Sequence, residues 1–359
     1  MSDPLELLRP DLRGYAGYRS ARSEARAGEI WLNANESSGA NASDEDGLLR
    51  RYPEPQPGAS GEALSALYGA EPSRLMIGRG SDEAIDLLVR AVGAAGRDAV
   101  LVARPSFGMY AACARLQGAR LLEVDLRSDG NEFRVDLDAV RIAALDGGAT
   151  LVFLASPGNP LGEPISPDEA VALANALAGR ALVVIDEAYV EFAGSASVVG
   201  ALGRAGNLAV LRTLSKAHAL AAARVGCLLA DARVIAALRR LQAPYPLPVP
   251  SARAALRCLA PASLARTRAS VLATIEERER VRAALAGCAG VRRIHASRAN
   301  FLLVEFADAD DALSRLGAAG VVVRDLRAMP GLDTALRITI GTPAQNDRML
   351  ATLRATVAA

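Results

Sequence analysis

Between about residues 72 and 230, short apolar runs alternate with helical stretches, and this alternation restricts the possible folds more than any other feature. The runs are LMIG (75–78), AVLVA (99–103), ARLLEVDL (119–126), TLVFLAS (150–156), ALVVIDEAY (181–189), LAVLRTLS (208–215) and GCLLA (226–230). Several are apolar at every position, the pattern of strands covered on both faces. The intervening SDEAIDLLVRAVGAAG and SPDEAVALANALAG each open with serine and an acidic residue, which suits an N-cap and first helical turn. The prediction is an α/β fold, a mostly parallel mixed sheet flanked by helices.

A chain of 359 residues can hold two domains. Four prolines in APYPLPVPS (243–251) exclude a helix interior or a central strand and suggest a crossing between domains. A long helical region follows, and then strand-like NFLLVEF, GVVVRDL and ALRITIG. The expected organisation is an N-terminal arm (1–35), a large domain (36–245) and a smaller α+β C-terminal domain (246–359).

A net charge of +1 lacks the basic excess of a nucleic-acid binder. No apolar run reaches the roughly 18–20 residues that span a bilayer. The opening MSDPLELLRPDLRGY has no basic stretch ahead of an apolar core, so no secretory leader is expected. Cys113, Cys227, Cys258 and Cys288 are scattered and read as reduced thiols. Together these predict a cytoplasmic protein with no nucleic-acid or membrane partner. With only two histidines, no metal site is expected.

Of 41 cationic residues, forty are arginine and one, Lys216, is lysine. Arginine serves wherever charge alone is needed, but its pKa above about 12 bars it from supplying a neutral amine. Lysine can lose its proton and attack a carbonyl. Three further stretches place polar groups at strand ends, where open α/β sheets bind ligands. GRGSDEA (78–84) is a glycine-rich turn opening a helix at Ser81, a structural turn or a phosphate site. In LVVIDEAY a buried strand ends with Asp186, otherwise a helix cap, and SPGNP carries Asn159, otherwise part of a simple turn. In TLSKAHALAAARVG two hydroxyls precede Lys216, and Arg224 follows eight residues later. An aldehyde cofactor with a phosphate and a basic ring nitrogen needs an amine, an anion pocket and a carboxylate. Lys216, the Gly80–Ser81 helix start with Thr213, Ser215 and Arg224, and Asp186 meet those needs.

The blocks WLNANES (31–37), RYPEPQP (51–57), GRGSDEAIDLLVRA (78–91), RPSFGMY (104–110), SPGNPLG (156–162), VIDEAYVEF (184–192), TLSKAHAL (213–220), APYPL (243–247) and VVVRDLRAMPGLDTALRITIG (321–341) cover nearly the whole chain. In their order and spacing the chain resembles the fold-type I pyridoxal phosphate aminotransferases, and specifically the histidinol-phosphate aminotransferases. The resemblance implies that Lys216 joins the cofactor aldehyde, that Asp186 faces the ring nitrogen, and that Asn159 and Tyr189 bond the phenolic oxygen. It implies that Tyr110 stacks on the ring, and that Gly80, Ser81, Asp82, Thr213, Ser215 and Arg224 lie at or beside the phosphate. Tyr52 would come from the other subunit, making a homodimer with shared active sites. Arg324 and Arg337 would bind substrate anions, with Tyr18, Asn35, Glu36 and Tyr245 toward the rest of the substrate. The implied reaction is transamination between L-histidinol phosphate and 2-oxoglutarate, giving imidazole-acetol phosphate and glutamate. Aromatic amino acid transamination and threonine-phosphate decarboxylation are the alternatives.

The chain departs from the family pattern at four places. Gly158 stands where a second asparagine is usual, Leu161 where threonine is, and His218 where a bulky aromatic is common. AAAR (221–224) lacks the glycine often found before the arginine.

Overall fold

The computed structural model describes residues 3–22, 30–130 and 132–354. The strands of its first part are β1 Leu75–Arg79, β2 Ala99–Arg104, β3 Arg120–Asp125, β4 Arg127–Asp129, β5 Glu132–Arg134, β6 Ala149–Ala155, β7 Leu182–Asp186, β8 Leu208–Thr213 and β9 Val225–Leu229. Seven of them make one sheet in the order β1-β9-β8-β7-β6-β2-β3, while β4 and β5 form a separate hairpin. Only β9 runs against its neighbours, β1 and β8; the other contacts in the sheet are parallel. The carboxyl ends of β1, β8, β7, β6 and β2 therefore share one edge.

The helices are α1 Gly58–Tyr68, α2 Ser81–Val92, α3 Met109–Gln117, α4 Leu137–Gly147, α5 Pro167–Ala176, α6 Ala232–Leu241, α7 Val249–Cys258, α8 Pro261–Ala286, α9 Ala309–Ala318 and α10 Pro343–Arg354. Strand alternation divides the core in two. Ile77, Leu101, Val152, Val183, Ile185 and Val210 point to one face. Met76, Val100, Leu151, Phe153, Val184 and Leu211 point to the other, against α2, α3 and α6. This two-sided burial explains why the central strands are almost wholly apolar, whereas the edge strand β3, RLLEVD, is not. Each fully buried Val, Leu, Ile or Phe side chain contributes about 1.5–3 kcal/mol.

A second, antiparallel sheet has the order β10-β11-β13-β12, from β10 Val291–Ile294, β11 Phe301–Phe306, β12 Arg324–Asp325 and β13 Ala335–Thr339. The helix α8 links the two parts. Val271 packs with Tyr189 and Phe192, whereas Val281 and Leu285 enter the core under the second sheet. The proline-rich stretch leads into α7, with Pro248 as its N-cap and a further proline in the first turn.

Two strands fall short of their sequence expectation. The run 181–189 stops at Asp186 and is followed by a 3-10 turn, Val190–Phe192. The run 320–326 keeps only β12, which pairs with Arg337 and Leu336. Val322 is 95% exposed, so nothing packs on it to extend the strand.

Candidate active site

The anion end of the site is built where β1 and β9 meet α2. Gly80 is the N-cap of α2 with φ +78, and Ser81 is the first helical residue. Serine thus does not cap this helix, unlike Ser166, which forms a full capping box with Glu169 at α5. The amides at the start of α2 and the helix dipole are left for a ligand. Arg224, at φ +53, reaches across from the start of β9. Its Nη2 donates to Asp82 Oδ2 at 3.0 Å and its Nη1 to Ser215 Oγ at 3.4 Å. Thr213 Oγ1 donates to Ser215 Oγ at 3.0 Å.

Two glycines make this approach possible. A Cβ on Gly80 would lie 2.6 Å from Arg224 Nη2, and one on Gly226 would lie 2.5 Å from the Ser81 nitrogen. Gly226 is a site position that sequence reasoning missed; its one signal is the small residue next to Val225 in ARVG. Gly226→Ala is expected to push the α2 start out of place and weaken cofactor binding about 10–100-fold, equivalent to about 1.4–2.7 kcal/mol. Equilibrium titration of the cofactor, followed by its visible absorbance, checks this.

At the other end, Asp186 closes β7 and is 5% exposed. Its Oδ2 accepts from the Tyr110 hydroxyl at 2.7 Å and its Oδ1 from the Ala188 amide at 3.1 Å. Burial pushes its pKa up to about 6, against the pull of those two hydrogen bonds. Asp186 has no ion-pair partner among the described residues. Beside it, Asn159 Nδ2 donates to Tyr189 Oη at 3.3 Å. Burial pushes the Tyr189 phenol up to about 12. Arg337 Nη1 donates to Asn159 Oδ1, joining the second sheet to this cluster.

Lys216 lies in the turn after β8. The Leu214 amide bonds Val225 O at 3.0 Å, and the Leu220 amide returns to Leu214 O at 2.9 Å, so the turn closes on itself. Nζ sits 5.6 Å from the Tyr189 ring centre. The side chain remains reachable from the cleft, yet partial burial lowers its pKa, assisted by the charges of Arg337 and Arg224. That shift raises the neutral, nucleophilic fraction.

Ser81, Asp82, Tyr110, Asn159, Asp186, Tyr189, Thr213, Ser215, Lys216 and Arg224 all line one cleft. Tyr110 differs from its expected role: its ring stacks on Phe153 at 4.8 Å and its hydroxyl is held by Asp186. It is 1% exposed, at the wall of the cleft.

Other expected residues lie outside the cleft within one chain. The Tyr52 and Tyr245 rings stack on each other at 4.5 Å. Glu36 is not free for a substrate here: Arg51 and Arg22 pair with its carboxylate, and the Tyr52 amide donates to it at 2.7 Å. Tyr18 is 74% exposed, and Asn35 occupies a left-handed turn at φ +55. Arg324 is exposed on β12, directly opposite Arg337.

The departures acquire physical reasons. A Cβ on Gly158 would lie 1.7 Å from Leu161 O, so this turn admits no asparagine there. Leu161 is buried against Leu303, Leu326 and Leu332 of the second sheet region. His218 is buried, 3.9 Å from Glu191 Oε1 through Nε2. No group of histidine, cysteine and acidic side chains suited to a metal ion occurs among the described residues.

The sequence model for aminotransferase class I and II matches residues 26–353. The chain belongs to the class I and II aminotransferases. A histidinol-phosphate aminotransferase of Stenotrophomonas maltophilia (strain R551-3) is 60% identical over 359 residues, covering 100% of this chain and 99% of that protein. The structure of histidinol-phosphate aminotransferase from Sinorhizobium meliloti, in complex with pyridoxal-5'-phosphate, aligns with a TM-score of 0.77 at 27% identity, covering 89% and 88% of the two chains. An L-threonine-O-3-phosphate decarboxylase from Porphyromonas gingivalis has the same fold, with a TM-score of 0.73 at 22% identity over 87% of this chain and 92% of that one. Among these aminotransferases and their structural kin, the fold alone does not select the reaction.

The cleft of this aminotransferase fits an aldehyde cofactor with a phosphate and a ring nitrogen. The buried Asp186 carboxylate has no cation paired with it among the described residues, and a protonated ring nitrogen would supply one. At the opposite end, Gly80 leaves a cradle that a Cβ would fill.

Proposed function

We propose that the chain transfers the amino group of L-histidinol phosphate to 2-oxoglutarate, a step of L-histidine biosynthesis, using pyridoxal 5'-phosphate. The observation that carries this reading is that the one lysine of the sequence lines the same cleft as the start of α2 and the buried Asp186, which has no ion-pair partner among the described residues. The 60% identity to a histidinol-phosphate aminotransferase over the full chain supports the substrate.

When bound, the cofactor supplies an aldehyde that takes up amino groups and a ring that withdraws electrons from the substrate α-carbon. Gly80, Ser81, Thr213, Ser215 and Arg224 would hold its phosphate. Asp186 would keep the ring nitrogen protonated, and Asn159 and Tyr189 would bond the phenolic oxygen. Lys216 Nζ, once free, takes the α-proton as general base and returns it as general acid. Arg337 and Arg324 bind the substrate anions. These two cations sit opposite each other across β12 and β13, an arrangement that is unfavourable until an anion lies between them. Arg337 Nε is buried with no hydrogen-bond partner among the described residues, a donor that a phosphate or carboxylate satisfies.

The working unit in this reading is a homodimer. Leu32, Tyr18, Leu49 and Tyr52 expose 89%, 74%, 54% and 49% of their surfaces along the arm and the 48–52 segment, an apolar face suited to a second copy of this chain. Tyr52 would then complete the partner's phosphate site. A cytoplasmic location accords with four free cysteines and with no described helix long and apolar enough to cross a membrane.

A single-turnover half-reaction tests the substrate. The cofactor-loaded protein is mixed in turn with L-histidinol phosphate, L-phenylalanine and O-phospho-L-threonine, and the cofactor's visible band is followed. Rapid loss of the band with histidinol phosphate, and slow loss with phenylalanine, is the expected result. Faster conversion of phenylalanine would move the assignment to aromatic transamination. Release of CO2 from phosphothreonine with the band preserved would make the protein a decarboxylase.

A further inference from the structure

Behind the cleft, a second set of side chains mirrors the first at an offset of one or two residues. Asp186 is followed by Glu187, Tyr189 lies two residues before Glu191, Thr213 follows Arg212, and Lys216 lies two residues before His218. Thr213 faces the cleft, so strand alternation turns Arg212 to the opposite face of the sheet.

There Arg212 is 7% exposed and bound at both ends of its fork. Nη1 donates to Glu187 Oε2 at 3.1 Å and to Ser197 Oγ at 3.3 Å, and Nη2 donates to Glu191 Oε1 at 2.7 Å. The Tyr68 ring covers the guanidinium at 4.4 Å. Glu187, 1% exposed, also accepts from Ser197 Oγ at 2.5 Å and from the Val198 amide at 2.6 Å. Its own amide donates to Leu211 O at 3.0 Å, one residue before Arg212. His218, two residues after Lys216, is buried beside this group, its Nε2 3.9 Å from Glu191 Oε1.

We propose that Arg212 is a positioning residue for amino transfer: through Glu187 and Glu191 it fixes the Asp186–Tyr189 loop against the end of β8, from which the Lys216 turn leaves. Nothing in this group touches the cleft, so it acts only through the residues in front of it. A planar fork with two separated donors holds two carboxylates at once, which an ammonium does not. Among the described residues the loops after β7 and β8 share no backbone hydrogen bond beyond that of Glu187, so further out the β7 loop is held by this fork on β8 and by the packing of Ala217 with Tyr189 and Phe192. Displacements of about 1 Å at a reacting group can cost about 100-fold in rate.

The proposal rests on the roles given above to Lys216 and Asp186. Its test uses the cofactor-loaded Arg212→Lys protein in the single-turnover reaction with saturating L-histidinol phosphate. Amplitude reports the folded, loaded fraction, and the rate constant reports geometry within that fraction. The expected result is a rate constant lowered about 10–100-fold, with half-saturation by substrate within about two-fold of the parent. A parent-like rate constant, whether the amplitude is full or reduced, would overturn the proposal and leave Arg212 a folding role. Glu191→Gln, which keeps the acceptor but removes the charge, is expected to shift the rate constant in the same direction by about three- to ten-fold, and it decides the matter if Arg212→Lys does not fold. Lys216→Arg serves as the control: activity in that variant would overturn the reading of the site itself, whatever Arg212 does.

Discussion

Lys216→Arg is expected to fold as the parent does and to lose at least about 10⁴-fold in amino transfer, the upper range for removing a general base. The substitution keeps the charge and removes the chemistry. Arginine stays protonated at every working pH, so it neither joins an aldehyde nor accepts a proton from carbon. Stability should change little. The Lys216 amine makes no hydrogen bond or ion pair among the described residues, and the turn around it is held by backbone contacts from Leu214, Ala219 and Leu220. Parent-like thermal melting with no turnover is the signature. Turnover within ten-fold of the parent would remove Lys216 from the mechanism.

Asp186→Asn is expected to trade function for stability. In the folded chain the Asp186 pKa is raised from 3.8 to about 6, chiefly by burial. The folded state therefore holds this proton more tightly than the unfolded state. The associated stability is complete below about pH 4 and is lost as pH rises through about 6, amounting to about 3 kcal/mol above that. Asparagine never ionises. Stripped of cofactor, the variant should be the more stable protein at pH 8 by up to about 3 kcal/mol, and the difference should vanish near pH 4. Denaturant unfolding of both stripped proteins at the two pH values checks the sign. With cofactor present the variant should turn over about 10²–10³-fold more slowly, as expected for loss of one preorganised electrostatic contact. A variant less stable than the parent at pH 8 would mean that ionised Asp186 is not the strained group described here.

Most of the residues that the structure gathers in the cleft carry a local signal in the sequence. A lone lysine among forty arginines, an acid closing an apolar run and a glycine before SDE each carry their signal within a few positions. The central strands of the first sheet were legible for the same reason, since burial on both faces leaves most of their residues apolar. What escaped depends on register between distant segments. Gly226 matters only because β9 runs antiparallel to β1, which sets it against Gly78 and beside the start of α2. Arg212 looked like one more arginine until pairing of β7 and β8 brought Glu187 and Glu191 to it. The stretch 320–326 has the composition of a strand but finds a partner for only two residues. Tyr110 and Glu36 show a further limit, because a residue type names a capability while its neighbours decide whether that capability is engaged.

The central claim is that Lys216 is the amine that joins the cofactor, and the chain offers an unusually clear test because it contains no second lysine. The cofactor-loaded protein would be reduced with borohydride, denatured, digested and analysed by mass spectrometry. The cofactor should be found fixed to the peptide carrying Lys216, and the Lys216→Arg protein should carry none. Cofactor that washes away from the reduced parent protein, or that is fixed equally to the Lys216→Arg chain, would contradict the account.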